Sequence, residues 1–410
     1  VEKFSSRAQK KMPPFLNAVI AGHICLDILP DFEVAAGRDP QSLIKPGALV
    51  QIGVAQFSSG GPVSNTGLAL HHLGIPVHLI AKLGADPFGG ILKAIVQGRG
   101  PRLADGLITD PEGVTSYSII LSNRTTDRMF LHCTGANDTF GPEDIDFRLV
   151  EKADLFHFGY PPALKRMYRG DGRELAGVMQ SAKAAGATTS LDMSLPDPDS
   201  ESGRTDWCPI YRSVLPYVDI FLPSLDELLY TLRRRLFIEM SSRGELLPQT
   251  TPGLLEELGG ELMEMGVGIV IVKMGNRGVY VRTSAESRLS AMGRARPEKG
   301  SGWAGSERWT PCFKAGVVGT TGAGDATIAG FLAGLLRRTS LEEALRMAVA
   351  VGACNVEAAD SLSGLRTWEG TRDRVTAGWE QLPLGIQETG WEWDDSGMMW
   401  IGPLDSTRNY

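Results

Sequence analysis

Between Gly319 and Asp325 the chain reads Gly-Thr-Thr-Gly-Ala-Gly-Asp and runs straight into the helical pattern Ala326 to Leu336. The first backbone N–H groups of such a helix have no partner within it, so they face the turn and can hold an anion there. Glycines let the backbone approach a phosphate without interference from Cβ. Asp325 closes the turn, placed to take a proton from a hydroxyl beside that anion, while Gly322, Ala323 and Gly324 supply N–H groups for charge that develops on it. An anion cradle with an adjacent base is the minimum equipment for phosphoryl transfer to an alcohol. The plainer alternative is a glycine-rich connection with a first-turn acid that complements the helix dipole.

A second stretch, residues 60–74, reads Gly-Gly-Pro-Val-Ser-Asn-Thr-Gly-Leu-Ala-Leu-His-His-Leu-Gly. Pro62 suits a first helical position, and Asn65 falls in the first turn. Its amide offers both a donor and an acceptor to a polyol, or else serves as a helix cap.

Together the two stretches resemble the signatures of the ribokinase-like (PfkB) carbohydrate kinase family. The first looks like its Asp-Thr-Thr-Gly-Ala-Gly-Asp segment and the second like its Gly-Gly-x-x-x-Asn segment. Five further landmarks lie in the family's order: Gly22 to Asp27, Lys82 to Gly89, Gly135-Ala136-Asn137, Pro223 to Glu227 and Val272 to Gly278. The resemblance spans roughly residues 17–370.

The resemblance implies ATP and Mg2+ as cofactors and a small sugar or sugar derivative as acceptor. Asp27, Gly60, Gly61 and Asn65 would contact the sugar. Lys273, Gly275, Gly278, Thr321, Gly352 and Asn355 would border the nucleotide, with Gly352 explained as well by tight helix packing. Glu227 would lie near magnesium through a bound water, although Ser224 stands where the family's Asn-x-x-Glu element has asparagine. Glu227 reads equally as an exposed first-turn acid. Gly319 replaces an aspartate that in the relatives belongs to a monovalent-cation site, so potassium activation is expected to be weak or absent unless another carboxylate such as Asp360 takes over.

Composition narrows the field. Hydrophobic content of 42%, charge of 22% and a net charge of −7 describe an ordinary globular enzyme and disfavour a nucleic-acid partner. Five scattered cysteines without a C-x-x-C pair fit reduced thiols in the cytoplasm. The six histidines all precede residue 158 and show no metal-ligand spacing, so zinc is not expected. His23 and His157 read as hydrogen-bonded structural residues. No apolar run is long enough to span a membrane. Val1 to Lys11 is basic without an apolar core and reads as a loose tail rather than a secretion signal. A P-loop and a dinucleotide-binding fingerprint are both missing. A homodimer is an admissible assembly.

Short apolar runs alternate with helical patterns, which predicts an α/β sheet covered on both faces. Strands are expected at 18–22, 78–82, 155–158, 188–192, 218–222 and 268–273, and helices at 63–73, 173–185, 254–265, 326–336 and 341–359. Residues 32–57 and 113–134 have β character and no intervening crossover helix in the second segment. The resemblance makes them a β-sheet lid on a three-layer α/β/α sandwich with a mostly parallel central sheet. The expected organisation is a tail over 1–16, a kinase unit over 17–375 and an extension over 376–410. The extension carries a hairpin around Asp395-Ser396-Gly397, whose tryptophans either staple it to the core or stack on a ligand. Residues 197–209, 232–253 and 284–308 read as surface excursions.

Two other functions stay open at this point. A nucleoside kinase of the same fold would need an aromatic surface, for which Phe32, Tyr117 and Phe130 are candidates. A non-catalytic sugar- or nucleotide-binding relative would be expected to lack the base, yet Asp325 is present.

Overall fold

The computed structural model describes residues 16–31, 46–47, 49–121 and 129–406. Most of the expected tail, the 32–45 part of the first lid segment, Phe32 and the last four residues lie outside these. In chain order the strands are β1 (Ala18–Gly22), β2 (Cys25–Leu29), β3 (Gln56–Gly60), β4 (Val77–Gly84), β5 (Leu107–Asp110), β6 (Tyr117–Leu121), β7 (Met129–Cys133) and β8 (Leu155–Gly159). Then follow β9 (Thr188–Leu191), β10 (Ile220–Phe221), β11 (Ile269–Lys273), β12 (Val279–Thr283), β13 (Glu307–Thr310), β14 (Glu392–Asp394) and β15 (Met399–Ile401). Helices of eight residues or more are α1 (Pro62–His72), α2 (Pro87–Arg99), α3 (Arg173–Ala184), α4 (Trp207–Val214), α5 (Leu225–Leu232), α6 (Arg234–Arg243), α7 (Pro252–Glu264), α8 (Ala323–Leu336), α9 (Leu341–Asn355) and α10 (Trp368–Thr376).

An 11-stranded sheet runs β14-β15-β13-β12-β11-β10-β9-β8-β1-β4-β5. It is parallel from β11 to β5 and antiparallel from β11 to β14. Successive residues of its central strands enter different cores. Ile20, Ile269 and Ile271 pack with α1, α8 and α9, while Val19, Ala21, Val270 and Val272 pack with α3, α4, α5 and α7. Burial on both faces is why these strands read as continuous apolar runs rather than as alternating ones. The architecture is the expected one, a mostly parallel central sheet between helical layers with a small separate sheet.

That second sheet is β3-β2-β6-β7. It begins at Cys25, earlier than the expected boundary of residue 32, because the chain breaks at His23 and Ile24 and starts a new strand at once. Asp27 therefore sits on a strand of the lid sheet instead of in a loop after β1.

The excursions over 197–209 and 284–308 are only partly external. Trp207 opens α4 fully buried, and β13 lies inside the central sheet with Glu307 and Arg308 themselves buried. The C-terminal hairpin β14–β15 extends the central sheet through β13. Trp391 packs edge-on against Trp309, with ring centres 6.2 Å apart, which staples the segment to the core. Among the described residues, no helix is long and apolar enough to cross a membrane.

Candidate active site

Because β1, β8, β9, β10 and β11 are parallel, their carboxyl ends gather at one edge of the sheet. His23, Tyr160, Asp192, Ser224 and Lys273 follow or close those strands, at the edge where open α/β sheets bind ligands. Helix α8 begins at the same edge. Its N-cap, Gly322, has φ 73° and ψ 4°, and a Cβ there would stand 2.5 Å from the Ser361 Cβ, so only glycine fits.

Asp325 lies in the first turn of α8 and is 3% exposed. Its carboxylate accepts hydrogen bonds from Asn65 Nδ2 (2.9 Å), Thr66 Oγ1 (3.2 Å) and the Tyr160 hydroxyl (3.1 and 3.2 Å to its two oxygens). Burial raises its pKa above the ordinary aspartate value, against the pull of Asn65, Lys273, Tyr160 and Thr66 toward the charged form. The sequence reading gave Asn65 a contact with the sugar and Asp325 the role of base toward the acceptor hydroxyl. In the fold the two side chains touch.

Tyr160 and Thr66 were not singled out from sequence. Thr66 is simply the residue after Asn65. Tyr160 follows β8 at φ 59° and ψ 53°, a left-handed conformation that is uncommon for a bulky residue and concentrates at functional sites. The signal available was Gly159-Tyr160-Pro161-Pro162 at a strand end.

Beside Asp325, Lys273 donates to Asp192 Oδ1 (2.5 Å) and to the Leu222 carbonyl (2.6 Å), all buried. Burial lowers the lysine pKa, but Asp192, Glu227 and Asp325 outweigh it and the net shift is upward. Burial, with Glu227 and Asp325 adding to it, pushes Asp192 well up against the pull of Lys273. The cluster holds three carboxyl groups, Asp192, Glu227 and Asp325, around one ammonium. The second oxygen of Asp192 is buried without a partner.

The expected nucleotide-side residues separate into groups. The Thr321 hydroxyl is buried without a partner beside the turn. The Ala323 N–H, one of the three expected to face an anion, is donated instead to the Thr320 carbonyl (3.2 Å). Lys273 lies beneath Gly324, 3.6 Å from where its Cβ would be, but its ammonium is engaged by Asp192. Gly275 and Gly278, at φ 50° and 82°, make the tight β11–β12 turn. Gly352 presses α9 onto Thr327 of α8, which is the packing reading. Asn355 is buried, its amide donating to the Ser361 carbonyl (2.7 Å).

Glu227 forms a capping box on α5. Its N–H donates to Ser224 Oγ (3.2 Å) and its Oε2 accepts from the Ser224 N–H (2.6 Å). Burial raises the Glu227 pKa, opposed by Lys273 and Ser224.

On the acceptor side, a Cβ on Gly60 would collide with the Asp27 carboxylate, and one on Gly61 would lie 2.5 Å from His23 Nδ1. Glycine at both positions keeps open the space directly in front of those two side chains. Register places Asp27, Ser58, Ser118 and His132 side by side across the four lid strands, on one face. Phe130, two residues from His132, shares that face, whereas Tyr117 is on the other and packs edge-on against Phe88. Asn65 Oδ1 is buried without a partner. His157 is hydrogen-bonded to Ser190 Oγ (2.9 Å), and burial with Lys273 nearby lowers its pKa to about 3, so it is a neutral structural residue. His23 departs from the expectation, since both of its ring nitrogens are buried without a partner.

This geometry sets a first expected outcome. Alanine at Asp27 or Asn65 should raise the KM of the acceptor far more than that of ATP in steady-state assays, and Asn65→Ala should also lower kcat because Asp325 loses a donor.

Comparison with known proteins adds an independent line. The family described as pfkB family carbohydrate kinase matches residues 34–368. The chain is 28% identical over 298 residues to an uncharacterized sugar kinase of Archaeoglobus fulgidus, covering 73% of this chain and 98% of the relative. It is 27% identical over 338 residues to an ATP-dependent ribose-1-phosphate kinase of Halopiger xanaduensis, covering 82% of this chain and 91% of the relative. The structure of Arabidopsis thaliana ribokinase complexed with ribose and ATP superimposes with a TM-score of 0.62 at 19% identity, covering 88% of this chain and 98% of the other.

Proposed function

Given that the chain belongs to the pfkB family of carbohydrate kinases, we propose that it transfers the γ-phosphoryl group of ATP to a hydroxyl group of a small sugar or sugar derivative. Asp325 is the general base in this reading. Its buried carboxylate, at the start of a glycine-capped helix and within 3.2 Å of Asn65, Thr66 and Tyr160, is the observation that carries the proposal. The acceptor hydroxyl gives its proton to Asp325 as its oxygen bonds to the γ-phosphorus, and the bond from phosphorus to the bridging oxygen breaks to release ADP. The N–H groups of Gly322 and Gly324 receive charge on the transferring group, with the partnerless Thr321 hydroxyl beside them. Asn65 and Gly61 at the start of α1 form the acceptor floor, Asp27 and Gly60 reach the acceptor from the lid sheet, and that sheet excludes water. Residues 17–375 carry this unit, with the hairpin segment as an extension.

The donor set fits Mg2+, because Glu227 and the free oxygen of Asp192 are hard ligands in a cluster with excess negative charge. When bound, the ion supplies neutralisation of phosphate charge. A nucleoside acceptor keeps one specific support, Phe130 on the Asp27 face of the lid. A coupled ADP-release screen over sugars, sugar acids, sugar phosphates and nucleosides tests the proposal. ADP release that depends on none of them would overturn it.

Potassium should have little effect. Gly319 offers no carboxylate, and Asp360 already accepts from the Leu362 N–H (2.8 Å), the Ser363 N–H (2.7 Å) and Ser363 Oγ (2.6 Å). The Ser361 carbonyl is taken by Asn355 (2.7 Å). Rates in potassium and in a bulky organic cation at matched ionic strength should agree, and a large potassium-specific stimulation would contradict this.

A further inference from the structure

Two ligand-type side chains two positions apart, His23 and Cys25, meet a third from more than a hundred residues on, His132, where the lid joins the floor. Ligand atoms of His23, Cys25 and His132 all lie within 4.8 Å of one another. His23 comes from the break between β1 and β2, Cys25 from the start of β2, and His132 from β7 at the far side of the lid sheet. His23 is 4% exposed, yet neither ring nitrogen has a hydrogen-bond partner. A buried imidazole left so is destabilising unless something else occupies it.

We propose that His23, Cys25 and His132 bind a divalent ion of the zinc class, joining lid strand β7 to the floor of the acceptor pocket. Two imidazoles and a thiol are borderline-to-soft ligands, suited to Zn2+ or Co2+ and unsuited to Mg2+, which the oxygen cluster at Asp192 and Glu227 would take. His132 Nδ1 is 3.0 Å from Ser118 Oγ, the kind of outer contact that orients a ligating imidazole and leaves Nε2 for the ion. The missing side chain at Gly61 keeps open the space before His23 Nδ1. A sugar hydroxyl alone would explain one partnerless imidazole, but not a thiol and a second imidazole converging on it. On binding, both imidazoles donate a lone pair. The Cys25 thiol loses its proton to solvent as the sulfur–metal bond forms. Three protein ligands leave a fourth position for water or a sugar hydroxyl.

The test uses the full chain, freed of metal by a chelator and titrated with Co2+ in the absence of nucleotide and sugar. One equivalent should bind with a thiolate-to-cobalt charge-transfer absorption, and Zn2+ should displace it. Cys25→Ser should abolish that absorption, His132→Ala should weaken binding about 10-fold or more, and Cys208→Ser on α4 should leave both unchanged. The exposed His132 gives a variant that keeps the test usable if Cys25→Ser does not fold. No absorption in the parent, or one that survives Cys25→Ser or is unaltered by His132→Ala, would overturn the site. The readout needs no turnover, so its failure is distinct from failure of the kinase reading.

Discussion

Replacing Asp325 by Asn is expected to lower kcat by about 10²–10⁴-fold while ATP affinity and the melting temperature stay near those of the parent. The amide is nearly isosteric, and its oxygen in the Oδ2 position still accepts from Asn65 and Tyr160, so the donors around it are not all orphaned. What disappears is the group that takes the proton. The same carboxylate dictates the acid side of the pH profile. Because burial raises its pKa, the fall of kcat/KM with decreasing pH should set in above the ordinary aspartate range, as the base becomes protonated. Steady-state kinetics of the parent across pH, beside single-turnover rates of Asp325→Asn, check both statements. A variant as fast as the parent would remove Asp325 from the role of base.

Lys273→Met should cost about 3–5 kcal/mol of folding stability, far more than an exposed lysine would, because it strands a buried carboxylate. Methionine can replace the aliphatic stem that lies under Gly324, but nothing replaces the ammonium on Asp192 and Leu222. Asp192 is already pushed up by burial, Glu227 and Asp325, and losing its one cation pushes it further. The sign follows from proton linkage. A carboxyl group whose folded pKa is raised binds a proton more readily when folded, so the penalty is small at low pH and grows as pH rises through that pKa. In the parent, the raised pKa of Lys273 contributes stability that is kept below the ordinary lysine value and lost as pH rises through the folded one. Urea denaturation of parent and variant at mildly acidic and at neutral pH should therefore show a gap that widens toward neutrality.

The parallel core was legible because burial on both faces leaves apolar runs bounded by turn residues, as at Ala18–Gly22 and Ile269–Lys273. Helix α8 was legible from its glycines and apolar body. Strand β13 was not, since Glu-Arg-Trp-Thr looks like surface. In the fold Glu307 accepts from the Tyr280 hydroxyl (2.7 Å) and the Leu404 N–H (2.9 Å), while Arg308 pairs with Asp405. Charges satisfied by partners 27 and 97 residues away carry no local trace in the sequence. The same holds at the site. Asp325 and Asn65 announced themselves through motifs, whereas Tyr160 reaches Asp325 only through the parallel alignment of β8 with β1. Lys273 was placed at the nucleotide border, and only the adjacency of β9, β10 and β11 reveals its pairing with Asp192. His23 and His132 meet solely because β2 and β6 pair in parallel and bring β7 alongside.

Product analysis tests the central claim most directly. With the best acceptor from the screen, parent enzyme and ATP should yield ADP and a phosphate monoester of that acceptor in equal amounts, and Asp325→Asn should yield neither at a comparable rate. ADP accompanied only by inorganic phosphate, or monoester formed as fast without the Asp325 carboxylate, would contradict the account.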